Sequence, residues 1–139
     1  MGGEYGVTTG RPRRCGYLDL VALKYACISN GIDGLVLTKM DIYDSFDEIK
    51  ACVGYEIDGV SQATFPASIP MLDKARPILK SFRGWKSDLT KVCTWEGLPI
   101  EAQSYIEYIE DYTKTPVTIV SVGQDRLQTI IRKDPWTRY

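Results

Sequence analysis

The spacing of apolar residues predicts two helices in this chain. From 18 to 30 apolar residues recur at three- and four-residue intervals, with Asp19 in the first turn and Gly31 where a left-handed cap belongs. From 98 to 112 the same spacing returns, with Pro99 near the first turn. Both segments are therefore predicted to be helical.

Three shorter segments are predicted to be strands. Residues 35–38 and 117–120 are apolar runs too short for a helix, which is typical of buried strands. Apolar residues alternate from 49 to 57, the pattern of a half-buried strand. Residues 59–84 contain three prolines and little periodicity, so we predict an extended connection across the surface there.

Helices that alternate with short buried strands predict the α/β class. In open sheets of that class, ligands bind beyond the C-terminal ends of the strands. Two polar segments occupy such positions, 39–41 after one strand and 121–123 after another. These segments are the first candidates for a binding site.

Composition adds limits on the class of protein. The 139 residues are 44% hydrophobic and 25% charged, with a net charge of −1, which fits one globular domain or part of a larger one. A balanced charge gives no overall field for nucleic acid or membranes, although Arg11, Arg13 and Arg14 form a local basic cluster. No apolar run is long enough to span a membrane and no signal peptide is evident, so we expect a cytoplasmic protein without nucleic-acid or membrane partners.

Cysteine and histidine usage narrows the chemistry. The four cysteines are irregularly spaced without a CxxC pair, so we predict reduced and mostly buried thiols. The chain contains no histidine, which excludes histidine acid–base catalysis and histidine metal ligands within it. Three tryptophans are interpreted as packing residues: Trp85, Trp95 and Trp136. Three carboxylates are predicted to line a solvated turn or begin a helix: Asp44, Asp47 and Glu48.

The first candidate site is Thr38-Lys39-Met40-Asp41. Guanine presents a ring N–H beside an exocyclic amine, and one carboxylate such as Asp41 can accept both hydrogen bonds. The aliphatic part of Lys39 can cover the face of the base. A solvated turn is the alternative interpretation of the same residues.

The second candidate is the loop from 7 to 13. It offers two hydroxyls, a flexible glycine and arginines whose planar groups match carboxylates or phosphates. The loop consists of Val7, Thr8, Thr9, Gly10, Arg11, Pro12 and Arg13. A flexible basic end or a non-specific nucleic-acid patch remains the alternative.

The third candidate is the turn formed by Ser121, Val122 and Gly123, followed by Asp125 and Arg126. A small turn at a strand end leaves backbone groups free to bind the edge of a ring. The same residues are equally consistent with an ordinary turn.

These three motifs, in this order, resemble the adenylosuccinate synthetase family. Residues 3–16 are similar to the family's substrate loop, and 37–41 to its guanine-recognition segment. The similarity continues through 47–50, 105–106 and 119–123 and covers most of the chain. The resemblance implies the C-terminal part of a mixed, mostly parallel sheet flanked by helices, in a P-loop-NTPase-like fold.

The resemblance also implies residue roles. Residues 7–13 would close over L-aspartate, with Arg11 reaching both aspartate and the ribose of IMP, and Arg13 contacting aspartate and GTP. Guanine would be held by two groups of residues: Lys39, Met40 and Asp41 on one side, and Ser121, Val122 and Gly123 on the other. Closure of the loop would exclude water from a phosphorylated intermediate.

The family's reaction joins IMP and L-aspartate with GTP hydrolysis in the presence of Mg²⁺, and its full-length enzymes are expected to be homodimers. The resemblance implies that the catalytic residues, the phosphate loop and the magnesium site lie upstream. This chain, in which Met1 resembles an added start, would then be an inactive C-terminal portion. It departs from the family pattern at Tyr17, Met40 and Gln124.

Two other interpretations remain open. One is a free-standing guanine-nucleotide-binding module, and the other is a small RNA-binding protein that uses the arginine cluster. Near-zero net charge and the lack of aromatic residues among those arginines count against RNA. A piece of a larger sheet should also expose apolar surface, so we expect self-association or marginal stability.

Overall fold

The structure is a computed structural model that describes residues 3–134 and 136, so Met1 and Gly2 lie outside the described residues. Within that part, a one-turn 3₁₀ helix, Met40–Tyr43, follows the second strand. The other elements, in chain order, are β1 (Leu18–Asp19), α1 (Leu20–Asn30), β2 (Leu35–Leu37), β3 (Glu48–Ile57), β4 (Val60–Gln62), α2 (Ile69–Lys74), β5 (Arg76–Arg83), α3 (Ile100–Thr113), β6 (Val117–Ser121) and β7 (Thr129–Ile131).

The described strands form two sheets. In the first, β5 pairs antiparallel along one edge of β3, while parallel β1 and antiparallel β4 share the other edge. In the second, β6 lies between parallel β2 and antiparallel β7. The α/β class is therefore confirmed; two of these five pairings are parallel, so the described sheets are mixed.

Both predicted helices are present, and their ends have clear causes. Asp19 caps α1, because its carboxylate accepts a hydrogen bond from the amide of Ala22 at 3.0 Å. Gly31 ends α1 in the left-handed conformation with a φ of 60°. Helix α3 places buried residues at three- and four-residue intervals, including Ala102, Ile106 and Ile109.

A hydrophobic core joins the two sheets through α1 and α3. Four elements each contribute a core residue that is at most 2% exposed: Leu20, Ile49, Ile106 and Val120. Burial of this apolar surface stabilises the fold and fixes the relative positions of the strand ends.

The tryptophan and cysteine predictions are confirmed only in part. Trp85 is buried and Trp95 packs against the core, but Trp136 is 90% exposed, so its prediction as a packing residue is wrong. All four cysteines are free thiols: Cys27 and Cys52 are buried, and Cys15 and Cys93 are exposed. Burial raises the pKa of the Cys52 thiol, which favours its neutral form.

The prediction of an extended connection across 59–84 is wrong in its main feature. This segment contains β4, α2 and the eight-residue strand β5, which pairs with β3 from Glu48 to Glu56. Most β5 side chains are exposed, so no alternation of burial marks the strand in the sequence. Pro77 is accommodated because β5 has a pairing partner only on its β3 side among the described residues.

Several large apolar side chains are exposed, including Val36, Ile69 and Leu127. Their exposure is consistent with the expected self-association, which stays a prediction. Across 3–134 and 136, no helix combines the length and apolar character that crossing a membrane requires.

Candidate functional site

The parallel pairing of β2 with β6 brings two of the predicted motifs together. Leu37 pairs with Val120, so both strands end at the same edge of the sheet. The 3₁₀ turn Met40–Tyr43 follows β2 there, and the turn beginning at Val122 follows β6. The candidate guanine segments are therefore neighbours because of the strand topology.

A cleft with a volume of about 530 Å³ lies between these two turns. Lys39, Asp41 and Gly123, which are predicted to bind guanine, are among the residues that line it. Its other lining residues are Gly3, Ile42, Asp44, Ser45 and Gln124. The cleft therefore combines a carboxylate, an ammonium group and a glycine turn, a donor and acceptor set that suits a purine base beside an anionic group.

Three of the predicted guanine residues do not line the cleft. Met40 and Val122 are almost fully buried in the core, with exposures of 2% and 0%. Ser121 is half-buried, and its hydroxyl donates a hydrogen bond to the carbonyl of Gly123 at 2.9 Å. These residues hold the two turns in place, and their own contact with a ligand stays a prediction.

The turn after β2 has an unusual backbone at its first residue. Lys39 has a φ of 61°, in the left-handed region that non-glycine residues seldom adopt. Met40, which follows directly, is buried in the core and anchors the turn. Tyr43 closes the turn, and partial burial raises the pKa of its hydroxyl. Packing of the turn thus overrides the local preference of Lys39.

The turn after β6 is organised by Gln128, which sequence analysis did not identify. The Gln128 amide oxygen accepts a hydrogen bond from the amide of Asp125 at 2.9 Å, and its carbonyl accepts one from Val122 at 2.9 Å. A Cβ atom on Gly123 would lie 2.0 Å from that side-chain oxygen. A side chain at position 123 would therefore displace the Gln128 side chain from the turn.

The predicted aspartate loop is a short hairpin on the surface. Tyr5 forms an antiparallel bridge with Pro12, and the Gly6 amide donates to the carbonyl of Arg11 at 2.9 Å. Every residue from 7 to 13 is exposed, and Val7 is 98% exposed. The loop is thus held by its own backbone bonds, with its side chains available to a ligand.

Glu4 connects this hairpin to the cleft and was also missed by sequence analysis. Its carboxylate forms an ion pair with Lys39, and it lies 3.6 Å from the guanidinium of Arg13. Gly3 lines the cleft directly. The structure therefore brings the start of segment 3–16, which carries the hairpin, to the edge of the cleft between the two candidate guanine segments.

Asp44 has a structural partner set that its sequence position did not indicate. Its carboxylate accepts hydrogen bonds from the indole N–H of Trp85 at 2.9 Å and from the amide of Leu89 at 3.0 Å. The prediction of a solvated turn is therefore wrong for Asp44, whereas Asp47 and Glu48 are exposed. No local signal could reveal Asp44, because its partners lie 41 and 45 residues away.

The described residues do not fit a magnesium site. Among 3–134 and 136, no group of three or more acidic, cysteine or histidine side chains could hold a metal ion.

Comparisons with known proteins give a consistent result. A profile of the adenylosuccinate synthetase family matches residues 1–130. A relative of that name from Aquifex aeolicus is 51% identical over 134 residues, which is 96% of this chain and 31% of the relative. One from Hydrogenobaculum is 52% identical over 126 residues, which is 91% of this chain and 30% of the relative.

A solved structure agrees with these matches. Fully ligated adenylosuccinate synthetase from Plasmodium falciparum superposes with a TM-score of 0.89 and is 38% identical, over 95% of this chain and 32% of that chain. The likeness confirms the predicted fold class, including its P-loop-like character. The chain spans about a third of the length of the relatives that it matches.

Proposed function

The chain belongs to the adenylosuccinate synthetase family, and from that premise we propose that it is the C-terminal portion of the ligase that joins IMP and L-aspartate using GTP. In this proposal the chain supplies the guanine pocket and the aspartate loop. The single observation that supports it most is the cleft lined by Lys39, Asp41 and Gly123 at the ends of two parallel strands.

Guanine recognition is the best-supported part of the proposal. Asp41 offers two carboxylate oxygens to the cleft, and guanine presents two adjacent donors to such a group. Adenine lacks that donor pair, so the same contact discriminates between the two purines. Lys39 lines the cleft beside Asp41, where its aliphatic part can cover the base.

The hairpin is proposed to bind L-aspartate and the ribose of IMP. Thr8, Thr9 and Arg11 are exposed on it, so their hydroxyl and guanidinium groups are available to a carboxylate or a sugar. Glu4 links Arg13 to Lys39, which places the base of the hairpin next to the proposed guanine site. When it closes, this one hairpin can therefore contact both L-aspartate and IMP.

The remaining features of the enzyme are proposed to come from outside this chain. The catalytic residues, the phosphate-binding loop and the residues that hold Mg²⁺ would lie in the other two-thirds of the protein. When bound, the metal would neutralise charge on the phosphates of GTP. We further propose a homodimeric, cytoplasmic full-length enzyme.

Calorimetric titration of this chain with GDP, with ADP as the control, tests the proposal. We expect GDP to bind and ADP to bind at least ten times more weakly. The reason is that the Asp41 carboxylate can accept two hydrogen bonds from guanine, whereas adenine lacks that pair of donors. Equal affinities for the two nucleotides would contradict the guanine assignment. Binding of neither would show that the cleft of this chain is insufficient for recognition.

A free-standing guanine-nucleotide-binding module is the second candidate. It is favoured by the fact that the described residues form the cleft without another chain. The two candidates differ in the gene upstream of this sequence, since a ligase requires a glycine-rich phosphate loop there. Sequencing of that region decides between them.

A further inference from the structure

A short segment crosses between the two walls of the cleft and contacts both. This segment, residues 84–90, follows β5 and is here called the brace. Leu89 and Thr90 are adjacent in it, yet they bond to opposite walls. The brace therefore connects the turn after β2 and the turn after β6 through hydrogen bonds made by two adjacent residues.

The first wall is attached to the brace through Asp44. One carboxylate oxygen accepts from the indole N–H of Trp85, and the other accepts from the amide of Leu89. Trp85 and Leu89 are 5% and 0% exposed, so the donor side of each bond is shielded from water. Asp44 also lines the cleft and ends the turn that carries Asp41, whose carbonyl accepts the Asp44 amide at 3.2 Å.

The second wall is attached through Gln128. Its side-chain amide donates to the carbonyl of Thr90 at 3.0 Å, while its side-chain oxygen accepts from Asp125. The same side chain fills the space that a Cβ on Gly123 would need. Movement of Thr90 would therefore be transmitted to the glycine that lines the cleft.

The brace itself has little freedom to move. Gly84 packs so closely that a Cβ there would lie 1.9 Å from the carbonyl oxygen of Phe46. The Gly84 amide donates to the carbonyl of Asp47 at 2.9 Å. Near the other end, the side chain of Leu89 is fully buried in the hydrophobic core. A segment fixed at both ends transmits displacement between the walls instead of absorbing it.

We propose that Asp44 and Gln128 are positioning residues that, through Leu89 and Thr90, set the separation of the cleft walls and thereby the selectivity for guanine. The part of this inference that concerns guanine selectivity rests on the proposed function. The mechanical coupling of the two walls is independent of any ligand. Loss of either attachment loosens both walls, because Asp44 and Gln128 bond to adjacent residues of the brace.

Amide hydrogen exchange tests the coupling without any nucleotide. In Asp44→Asn, one acceptor is lost, and we expect the amides of Val122 and Gln128 to exchange at least about ten times faster. In Gln128→Met, we expect the same change at the amide of Asp44. Each variant changes one wall of the cleft and is measured in the other wall. If one variant fails to fold, the other therefore still tests the coupling.

Matched variants separate coupling from general loss of stability. Asp73→Asn makes the same chemical change on exposed helix α2. Gln103→Met removes side-chain bonds to the carbonyls of Leu98 and Trp95, away from the cleft. Neither control should accelerate exchange at the cleft turns. If amide exchange accelerates only in the wall that carries the substitution, the proposed coupling through the brace is wrong.

Nucleotide selectivity tests the functional half of the proposal. Inosine diphosphate lacks the exocyclic amine of guanine, so the GDP-to-IDP affinity ratio reports how well Asp41 is placed. We expect Asp44→Asn and Gln128→Met each to lower that ratio about threefold or more, and the double variant to lower it no further than the stronger single one. An unchanged ratio, or additive effects, would overturn the positioning role.

The two proposals fail separately. If the unsubstituted chain does not prefer GDP to ADP, the guanine assignment fails, and hydrogen exchange still decides whether the brace couples the walls. If GDP is preferred and the variants keep the same GDP-to-IDP ratio, the guanine assignment stands and the positioning role fails.

Discussion

The cleft and the arginine hairpin are both proposed binding regions, yet they are held in different ways. The cleft turns are anchored by buried side chains and by Asp44 and Gln128, whose bonds reach residues far away in sequence. In the hairpin, residues 7–13 are all exposed, and the backbone bonds connect residues no more than nine positions apart. The cleft is preorganised by the core, whereas the hairpin depends on local bonds.

This difference suits two different tasks. A rigid cleft loses little conformational entropy when a base binds, so the hydrogen bonds proposed for Asp41 would contribute directly to affinity. An exposed hairpin can close over a second substrate and exclude water. Its residues must then be ordered by the ligand, which reduces affinity but permits entry and release.

The largest effect that separates the regions is expected from added methyl groups. In Gly84→Ala, the new Cβ would overlap the carbonyl of Phe46, so we expect a loss of about 3 kcal/mol in the free energy of unfolding. Gly16→Ala, next to the hairpin, has no atom within 4 Å of the new Cβ and should change stability by less than about 0.5 kcal/mol. Urea unfolding measures both, and equal stabilities would show that the brace is not rigid.

The next effect concerns affinity. Asp41→Asn replaces an acceptor pair by one acceptor and one donor, which faces the amine of guanine, so we expect GDP binding to weaken by about 2 kcal/mol. Arg11→Ala in the hairpin should leave GDP binding unchanged, because Arg11 is proposed to contact aspartate and IMP. Calorimetry with Asp73→Asn as the control checks this. A greater loss in Arg11→Ala than in Asp41→Asn would reverse the assignments.

Sequence patterns identified the parts of the site that depend on local structure. The strand ends at Leu37 and Ser121 follow from short apolar runs, and Lys39, Asp41 and Gly123 follow those strands. The sequence could not show which distant segments support them. The bonds of Asp44 and Gln128 to the brace reach residues 38 to 45 positions away, which no local pattern indicates.

Strand β5 was missed for a related physical reason. Its pairing with β3 is made by backbone atoms, while its side chains are mostly exposed and carry no alternation. The residues of the brace follow β5 directly, so failure to predict that strand also concealed the brace. Glu4 was missed because an ion pair with Lys39, 35 residues away, requires the folded chain.

A smaller effect is expected at alkaline pH. Tyr105 packs beside Tyr43 of the turn after β2 and Trp85 of the brace, and its burial raises its pKa above the ordinary value of 10.0. In the unfolded chain the Tyr105 hydroxyl loses its proton at a lower pH than in the folded chain. The contribution of Tyr105 to the free energy of unfolding is therefore complete below about pH 10 and falls as the pH rises further.

At pH 10.5 the loss from Tyr105 should be about 1 kcal/mol relative to pH 8. Urea unfolding at the two values measures it. Tyr105→Phe should reduce this pH dependence, while Tyr5→Phe in the exposed hairpin should not. An equal pH dependence in both variants would mean that burial of Tyr105 in the core does not set its titration.

The smallest effect is expected at the contact between the two regions. Glu4 pairs with Lys39 of the cleft and with Arg13 of the hairpin, and all three side chains are partly exposed. Glu4→Gln should therefore change the free energy of unfolding by less than about 0.5 kcal/mol. It should nevertheless release the hairpin from the cleft, because Lys39 and Arg13 lose the carboxylate that they share.

Limited digestion with trypsin detects that release where unfolding cannot. Cleavage after Arg13 and Arg14 should be faster in Glu4→Gln than in the unsubstituted chain, while Arg11 is protected by the following proline. Saturating salt should remove the difference, since exposed ion pairs are screened. Asp58→Asn, which breaks the exposed pair with Lys74, provides the control. Equal cleavage rates in Glu4→Gln and Asp58→Asn would show that the hairpin's own backbone bonds hold it against the cleft without Glu4.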